Sequence, residues 1–330
     1  MKHYKKLSAV ILILIICAFL VPFRFIKSDA ASESMGECVV EVSSSRFLSE
    51  RNADMRLPMA STTKILTALV ILSESNLDET VTVPKEAEGT EGSSVYLKAG
   101  EEISVRDLLY GLMLRSGNDC AVTLALHHSG SIKNFAHAMN QTALLLGAEN
   151  SRFVNPHGLP DENHYTTARD LALITAAAVK NETFREIVST KYYEPHSWKN
   201  KNKMLWNFEG AIGVKTGFTV RAGRCLVSAA ERNGMTLVSV VLNSPQMFER
   251  SEELLQNAFE TYQMRTLCST SDLYDGCCVR YDFSYPLKQG EEDKIRIQNE
   301  IISPDSEIAG IMKIYLENRL LFSQNLFMMK

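Results

Sequence analysis

Ser61 and Lys64 stand three positions apart in MASTTKIL, residues 59–66, and a hydroxyl beside an amine at that spacing describes an activated nucleophile. A serine oxygen attacks a carbonyl only after a base takes its proton. Residues three apart on a helix share a face, so the Lys64 amine can reach the Ser61 hydroxyl. Lysine acts as a base only when neutral, a state favoured by burial and by a neighbouring cation. A second cation is therefore expected close by. The pair alone is weak, because S-x-x-K recurs by residue usage. Two further groups add weight: Ser116-Gly117-Asn118, directly after VRDLLYGLML, and Lys215-Thr216-Gly217 in GVKTGFT.

The elements that must hold these groups follow from periodicity. ECVVEVSSSRFLSERN alternates and then turns, which predicts a hairpin ahead of a helix starting near Ser61. Residues 104–180 read as a helical block. Ser104 with Asp107, and Thr167 with Asp170, have capping-box spacing, and Gly147 suits a helix end. From about residue 211, three β-rich runs separated by turns at Gly223 and Gly234 predict an antiparallel meander. SEELLQNAFETYQM then returns to helical spacing, with Leu254, Leu255, Phe259 and Tyr262 on one side to cover the sheet. The expected class is α+β, a central antiparallel sheet with a helical block, followed by a small all-β module. The expected divisions are residues 1–30, 31–264 and 265–330.

Composition sets the surroundings. The 330 residues are 45% hydrophobic and 22% charged, with a formal net charge of -4, enough for a sizeable core and without a basic run that would propose nucleic acid. Lys2, Lys5 and Lys6 precede an apolar stretch from Leu7 to Phe23 and small residues around Ala30, which reads as an export signal, either removed or retained as an N-terminal anchor. Apart from Cys17 in that stretch, Cys38, Cys120, Cys225, Cys268, Cys277 and Cys278 show no C-x-x-C pair and read as packed free thiols, while their even number leaves disulfides open. The chain has no H-E-x-x-H, and His127, His128 and His137 lack an acidic partner at ligand spacing. No metal and no cofactor is expected.

The order S-x-x-K, S-x-N, K-T-G is that of active-site serine penicillin-recognising enzymes. From Arg56 to about Tyr262 the chain resembles the serine D-alanyl-D-alanine carboxypeptidases, the low-molecular-mass penicillin-binding proteins, through PMASTTKILTALV, LLYGLMLRSGNDCA, NPHGL, TTARDLALI and GVKTGFTVRAGRCLVSAA. The resemblance implies a β-lactamase/transpeptidase-like catalytic domain and a set of roles. Ser61 would attack the carbonyl between two terminal D-alanines and become acylated, with Lys64 as proton acceptor. Ser116 would pass the proton to the departing D-alanine amine, and the Asn118 amide would hold the acyl part. Lys215 and Thr216 would receive the terminal carboxylate. The N–H groups of Ser61 and Phe218 would form the oxyanion hole, and Gly217 would let substrate approach the strand edge. The implied partners are peptidoglycan stem peptides ending in D-Ala-D-Ala, with β-lactams as covalent inhibitors, at the cell wall outside the cytoplasm, the enzyme being secreted or held by its N-terminal segment.

Two other readings compete. A class A β-lactamase would have S-D-N where this chain has Ser116-Gly117-Asn118, and a glutamate to activate the deacylating water. No E-x-x-L-N stretch lies between Asn118 and Lys215, so penicillin is expected to acylate and leave slowly. A non-catalytic wall or β-lactam binder is the alternative from another class, and it has no need for Ser61, Lys64, Ser116 and Lys215 together. Arg250 reads as a salt-bridge residue, with Met247 where relatives often carry arginine; Asp170 reads as a helix cap and His157 as a loop histidine.

Overall fold

A computed structural model describes residues 35–303 and 306–328. The proposed export segment and Cys17 lie outside the described residues. Strands β1 (Gly36–Glu41) and β2 (Phe47–Arg51) form the expected hairpin. A 3-10 turn, Ala60–Thr63, runs directly into helix α1, Lys64–Glu74. A ribbon of β3 (Thr80–Thr82) and β4 (Glu102–Ser104) leads to α2 (Val105–Tyr110) and a π-turn over Gly111–Arg115. Helices α3 (Asn118–Ser129), α4 (Ile132–Leu145), α5 (Ala168–Ala178) and α6 (Glu182–Ser189) complete the helical block.

Both capping signals are used, because an N-cap hydroxyl satisfies a backbone N–H that the helix cannot. Ser104 Oγ accepts from the Asp107 amide and Thr167 Oγ1 from the Asp170 amide, each at 3.0 Å. The Asp170 carboxylate also accepts from the Asn150 amide and the Ser151 hydroxyl, both at 2.7 Å, and so pins the loop ahead of its helix.

A short ribbon, β5 (Tyr192–Tyr193) with β6 (Trp198–Lys199), and the one-turn helix α7 (Met204–Asn207) precede the meander β7 (Ala211–Thr219), β8 (Gly223–Arg232), β9 (Met235–Leu242). The five-stranded antiparallel sheet has the order β2-β1-β9-β8-β7, so β7 is an edge. Successive residues of a strand face opposite sides, and here both sides are covered. Cys38, Val40, Val227, Ala229, Val238 and Val240 join the core shared with the helical block. Val39, Leu226, Leu237 and Val241 instead meet Leu254, Leu255 and Ala258 of α8, Met247–Thr261.

Helix α8 ends one residue earlier than its apolar pattern suggests: Tyr262 opens strand β10 (Tyr262–Cys268) and still packs on the α8 cluster. Beyond it, β11 (Cys277–Cys278), β12 (Phe283–Lys288), β13 (Ile295–Ile301), β14 (Ile308–Leu316) and β15 (Arg319–Met328) are all antiparallel. The strands β11-β15-β14-β13 form a four-stranded sheet over their own small core of Cys268, Val279, Ala309, Met312, Ile314 and Leu326. The expected division after residue 264 falls inside β10. Arg46, in the β1–β2 turn, grips this region with a forked pair to Glu291 at 2.8 and 2.9 Å and a bond to the Pro286 carbonyl, while its guanidinium lies over the Tyr262 and Tyr285 rings.

Arg250 is a salt-bridge residue, 2.6 Å from the buried Glu37 and 2.6 Å from Glu253, and Met247 is buried under the sheet. Cys38, Cys120, Cys225, Cys268 and Cys277 are buried free thiols, and Cys278 is half-buried. Among the described residues no helix is long and apolar enough to cross a membrane.

Candidate active site

The turn that carries Ser61 is held from both sides by glycines. Ala60, just before it, takes a left-handed φ of 49°, a conformation that costs an L-residue about 1 kcal/mol. Gly158 of the NPHGL loop has φ +88, and a Cβ there would lie 1.9 Å from the Ala60 carbonyl oxygen. On the other side a Cβ on Gly217 would lie 3.0 Å from the Met59 oxygen and 3.1 Å from the Ser61 amide nitrogen. The expectation for Gly217 concerned room for substrate; the close neighbour in the structure is the nucleophile's own backbone. Absence of a side chain lets edge strand β7 approach the Ser61 N–H, where the start of a helix leaves N–H groups free for a developing oxyanion.

Lys64 is fully buried and its Nζ touches three oxygens: Asn118 Oδ1 at 2.7 Å, the His157 carbonyl at 2.7 Å and Ser61 Oγ at 3.1 Å. The chemistry of those partners sets the direction of each bond. A carbonyl and an amide oxygen only accept, whereas a hydroxyl also donates. A neutral amine has two hydrogens and one lone pair, so its hydrogens go to Asn118 and His157 and its lone pair is left facing the Ser61 O–H. Asn118 cannot turn its amide the other way, because its Nδ2 donates to the Glu91 carbonyl at 2.5 Å.

Electrostatics favour the neutral form. Burial, followed by the charge of Lys215, holds Lys64 well below the usual lysine range. Lys215 is itself buried on β7, donates to the Thr216 carbonyl at 3.0 Å, and is brought to about 7 by burial and then by Lys201. Lys215 thus stands near enough to Lys64 for its charge to be felt there. Among the described residues no group of three His, Cys, Asp or Glu side chains could hold a metal ion.

Ser61, Lys64 and Asn118 are joined directly by hydrogen bonds. Ser116 reaches the site through the chain: it ends the π-turn in a left-handed conformation, φ 65°, immediately before the Gly117-Asn118 step that opens α3. Its hydroxyl makes no hydrogen bond to Ser61 or Lys64. Thr216 is half-buried on β7, and the Phe218 ring is exposed with the Arg224 guanidinium 5.8 Å from its centre.

Several contributors escape a reading by motif. The His157 backbone, rather than its ring, meets Lys64; the ring accepts from the Leu159 amide, and burial followed by the Lys64 charge brings it to about 3. His164 is a second support. Its Nδ1 accepts from the Val154 amide, which leaves Nε2 to donate to Thr63 Oγ1 at 2.8 Å, and Thr63 in turn donates to the Ala60 carbonyl. Burial keeps His164 neutral, at about 4. Asp119 is fully buried and collects the Ser94 hydroxyl and the Val95 and Leu97 amides, tying the wall beside Asn118 to α3. His157 and Asp119 lie inside the stretches NPHGL and LLYGLMLRSGNDCA, whose letters do not tell that a backbone carbonyl and a buried carboxylate do the holding; His164 lies outside every stretch that carries the family resemblance.

Residues 24–246 match the family described as D-alanyl-D-alanine carboxypeptidase. The D-alanyl-D-alanine carboxypeptidase DacF of Bacillus subtilis (strain 168) is 32% identical over 286 residues, which cover 80% of this chain and 73% of that protein. Among solved structures, penicillin binding protein 5 from Haemophilus influenzae superposes with a TM-score of 0.76 at 28% identity, over 89% of this chain and 96% of that one. The Streptomyces K15 DD-transpeptidase superposes with a TM-score of 0.64 at 36% identity, over 68% of this chain and 96% of its own. The fold is that of the transpeptidase and β-lactamase group, carrying an additional C-terminal β module.

Proposed function

The chain belongs to the D-alanyl-D-alanine carboxypeptidase family, and from that premise we propose that Ser61 is the nucleophile of a serine carboxypeptidase that trims the terminal D-alanine from peptidoglycan pentapeptide stems. The observation that carries this assignment is the buried Lys64 Nζ 3.1 Å from Ser61 Oγ, with its two other contacts made to oxygens that only accept. Lys64 takes the hydroxyl proton as Ser61 Oγ bonds to the carbonyl carbon of the penultimate D-alanine. The oxyanion develops toward the N–H groups of Ser61 and Phe218. Ser116 relays that proton, giving its own hydrogen to the leaving nitrogen and taking one from the Lys64 ammonium; the C–N bond breaks, free D-alanine departs, and Lys64 is neutral again. Water then attacks the ester with Lys64 again accepting a proton, and Ser61 regains its hydrogen.

Lys215, with the Thr216 hydroxyl, receives the substrate's terminal carboxylate, and a bound anion favours the charged form of Lys215. Asn118 has one amide hydrogen beyond the one given to Glu91 and offers it to the acyl portion. Among the described residues the hydrogen-bonding partners of Ser61 and Lys64 include no carboxylate, which supports slow release of a penicilloyl group. Residues 1–30 act as an export signal or retained anchor, residues 31–264 as the catalytic domain and 265–330 as the appended module, with the enzyme working at the cell wall.

Intact-protein mass spectrometry after penicillin treatment tests the assignment. The protein is expected to gain the mass of one penicillin and Ser61→Ala to gain none, with D-alanine released from a pentapeptide only by the former. An adduct that persists in Ser61→Ala would refute the nucleophile. Penicillin destroyed without an accumulating adduct would make the protein a β-lactamase.

A further inference from the structure

Residues 199–203 read Lys-Asn-Lys-Asn-Lys, and their exposure alternates with the residue type: the three lysines are outside, while Asn200 and Asn202 are buried. The asparagines hold the segment in place. Asn200 Nδ2 donates to the carbonyls of Val188 and Thr190, its Oδ1 accepts from the Asn202 amide, and Asn202 Oδ1 accepts from the Met204 amide. On the other flank the Lys201 amide donates to the Leu114 carbonyl and Arg115 Nη1 donates to the Lys199 carbonyl. Trp206 adds a half-exposed ring with the Lys199 ammonium 5.4 Å and the Lys191 ammonium 5.9 Å from its centre. A cation over an indole face is steadied without being neutralised.

Together Lys199, Lys201, Lys203, Asn200, Asn207 and Trp206 line a groove of about 330 Å³. Among the described residues no carboxylate forms an ion pair with Arg115, Lys191, Lys199, Lys201 or Lys203. Some exposed cations elsewhere are paired, as Arg169 is with Asp54 and Glu50 and Arg185 with Glu231, and others are not; what sets this face apart is that its cations are gathered around one groove. Five unneutralised cations on one face of a chain whose net charge is -4 concentrate a positive field there. Burial, followed by the charge of Arg115, presses Lys201 toward its neutral form, and an anion beside it would favour the charged form instead. The Lys201 charge is also felt at the catalytic centre, where it disfavours the charged forms of Lys64 and Lys215.

We propose that this groove is a second anion-binding site, which captures carboxylates of neighbouring stem peptides on polymeric, uncross-linked peptidoglycan and so makes the polymer a better substrate than an isolated stem. The inference rests on the carboxypeptidase reading. Every uncut stem ends in a carboxylate, and stems repeat along a glycan, so the polymer is a polyanion whose groups are linked. A second attachment raises the local concentration of the first.

The test compares the wild type with Lys199→Gln/Lys203→Gln, which leaves Lys201 in place. D-alanine release is measured on a short N-acylated peptide ending in D-Ala-D-Ala and on uncross-linked peptidoglycan, at low and high salt. Penicillin acylation of Ser61 serves as the control for an intact site, and cosedimentation with the polymer as a readout independent of catalysis. The double variant is expected to keep acylation and short-peptide turnover within about twofold, to lose roughly tenfold in KM on the polymer, and to lose the salt dependence of the polymer reaction. Equal handling of the polymer by both proteins, or a parallel loss on both substrates, overturns the proposal. So does binding by stem-free phosphate-bearing wall polymer in preference to stem-bearing glycan. If the wild type neither acylates nor releases D-alanine, the carboxypeptidase reading fails, and polymer cosedimentation lost in the double variant still decides the groove.

Discussion

Replacing Lys215 with methionine should make the protein more stable and less active, with a stability gain that disappears as pH rises. Lys215 is buried, and its environment brings it from the ordinary 10.5 to about 7. At 1.36 kcal/mol per pH unit, that difference amounts to about 5 kcal/mol of cost for carrying the charge inside the folded chain. The sign follows from proton counts. Between pH 7 and 10.5 the unfolded chain holds a proton on this amine that the folded chain has released, so folding stability climbs with pH across that window. Below it the full cost is present. Methionine removes the charge and forfeits the bond to the Thr216 carbonyl, a loss of about 1 kcal/mol. Lys215→Met is therefore expected to be more stable than wild type by roughly 4 kcal/mol at pH 6, and less stable by about 1 kcal/mol near pH 10.5. Urea denaturation followed by circular dichroism from pH 6 to 10.5 measures both ends. Lys64, relieved of a neighbouring charge, should also titrate higher, moving the acid limb of penicillin acylation upward. A stability difference that ignores pH, or a methionine variant weaker at pH 6, would refute the reasoning.

Gly217→Ala places a Cβ 3.1 Å from the Ser61 amide nitrogen; penicillin acylation should fall roughly hundredfold as an oxyanion donor is displaced, and an unchanged acylation rate would remove that N–H from the mechanism. Asn118→Asp puts a carboxylate where the amide oxygen now sits 2.7 Å from Lys64 Nζ, favouring the ammonium. D-alanine release at neutral pH should drop about a hundredfold, with an acid limb displaced to higher pH, and a limb that stays in place would mean Lys64 is not the base. Glu291→Gln leaves the half-buried Arg46 without its counter-charge, at a cost of about 3 kcal/mol. The unfolding midpoint should fall while penicillin acylation is unaffected; an unaltered midpoint would show that Arg46 does not fasten the C-terminal strands.

Local chemistry was legible from the chain alone. The hairpin, the helical block, the meander and the closing helix all follow from periodicity and turn residues, because burial of one face imposes period 3.6 or 2 on the residues themselves. Cap hydroxyls at Ser104 and Thr167 were readable for the same reason, since donor and acceptor lie three residues apart. Ser61 and Lys64 belong to this class, and the demand for a second cation near them follows from the chemistry of an amine that must be neutral. Short ribbons such as β5–β6 were not readable, because two residues a side carry no period, and the end of α8 was misplaced because Tyr262 packs on the same cluster from a strand as it would from a helix. Only tertiary structure decided the direction of the Lys64 lone pair, which depends on Asn118, 54 residues away, and on the backbone of His157, 93 away. A carbonyl has no letter in the sequence, so the His157 and Glu91 oxygens, the approach of Gly217 to the Ser61 amide and the face shared by Lys199, Lys201 and Lys203 exist only once the chain has folded.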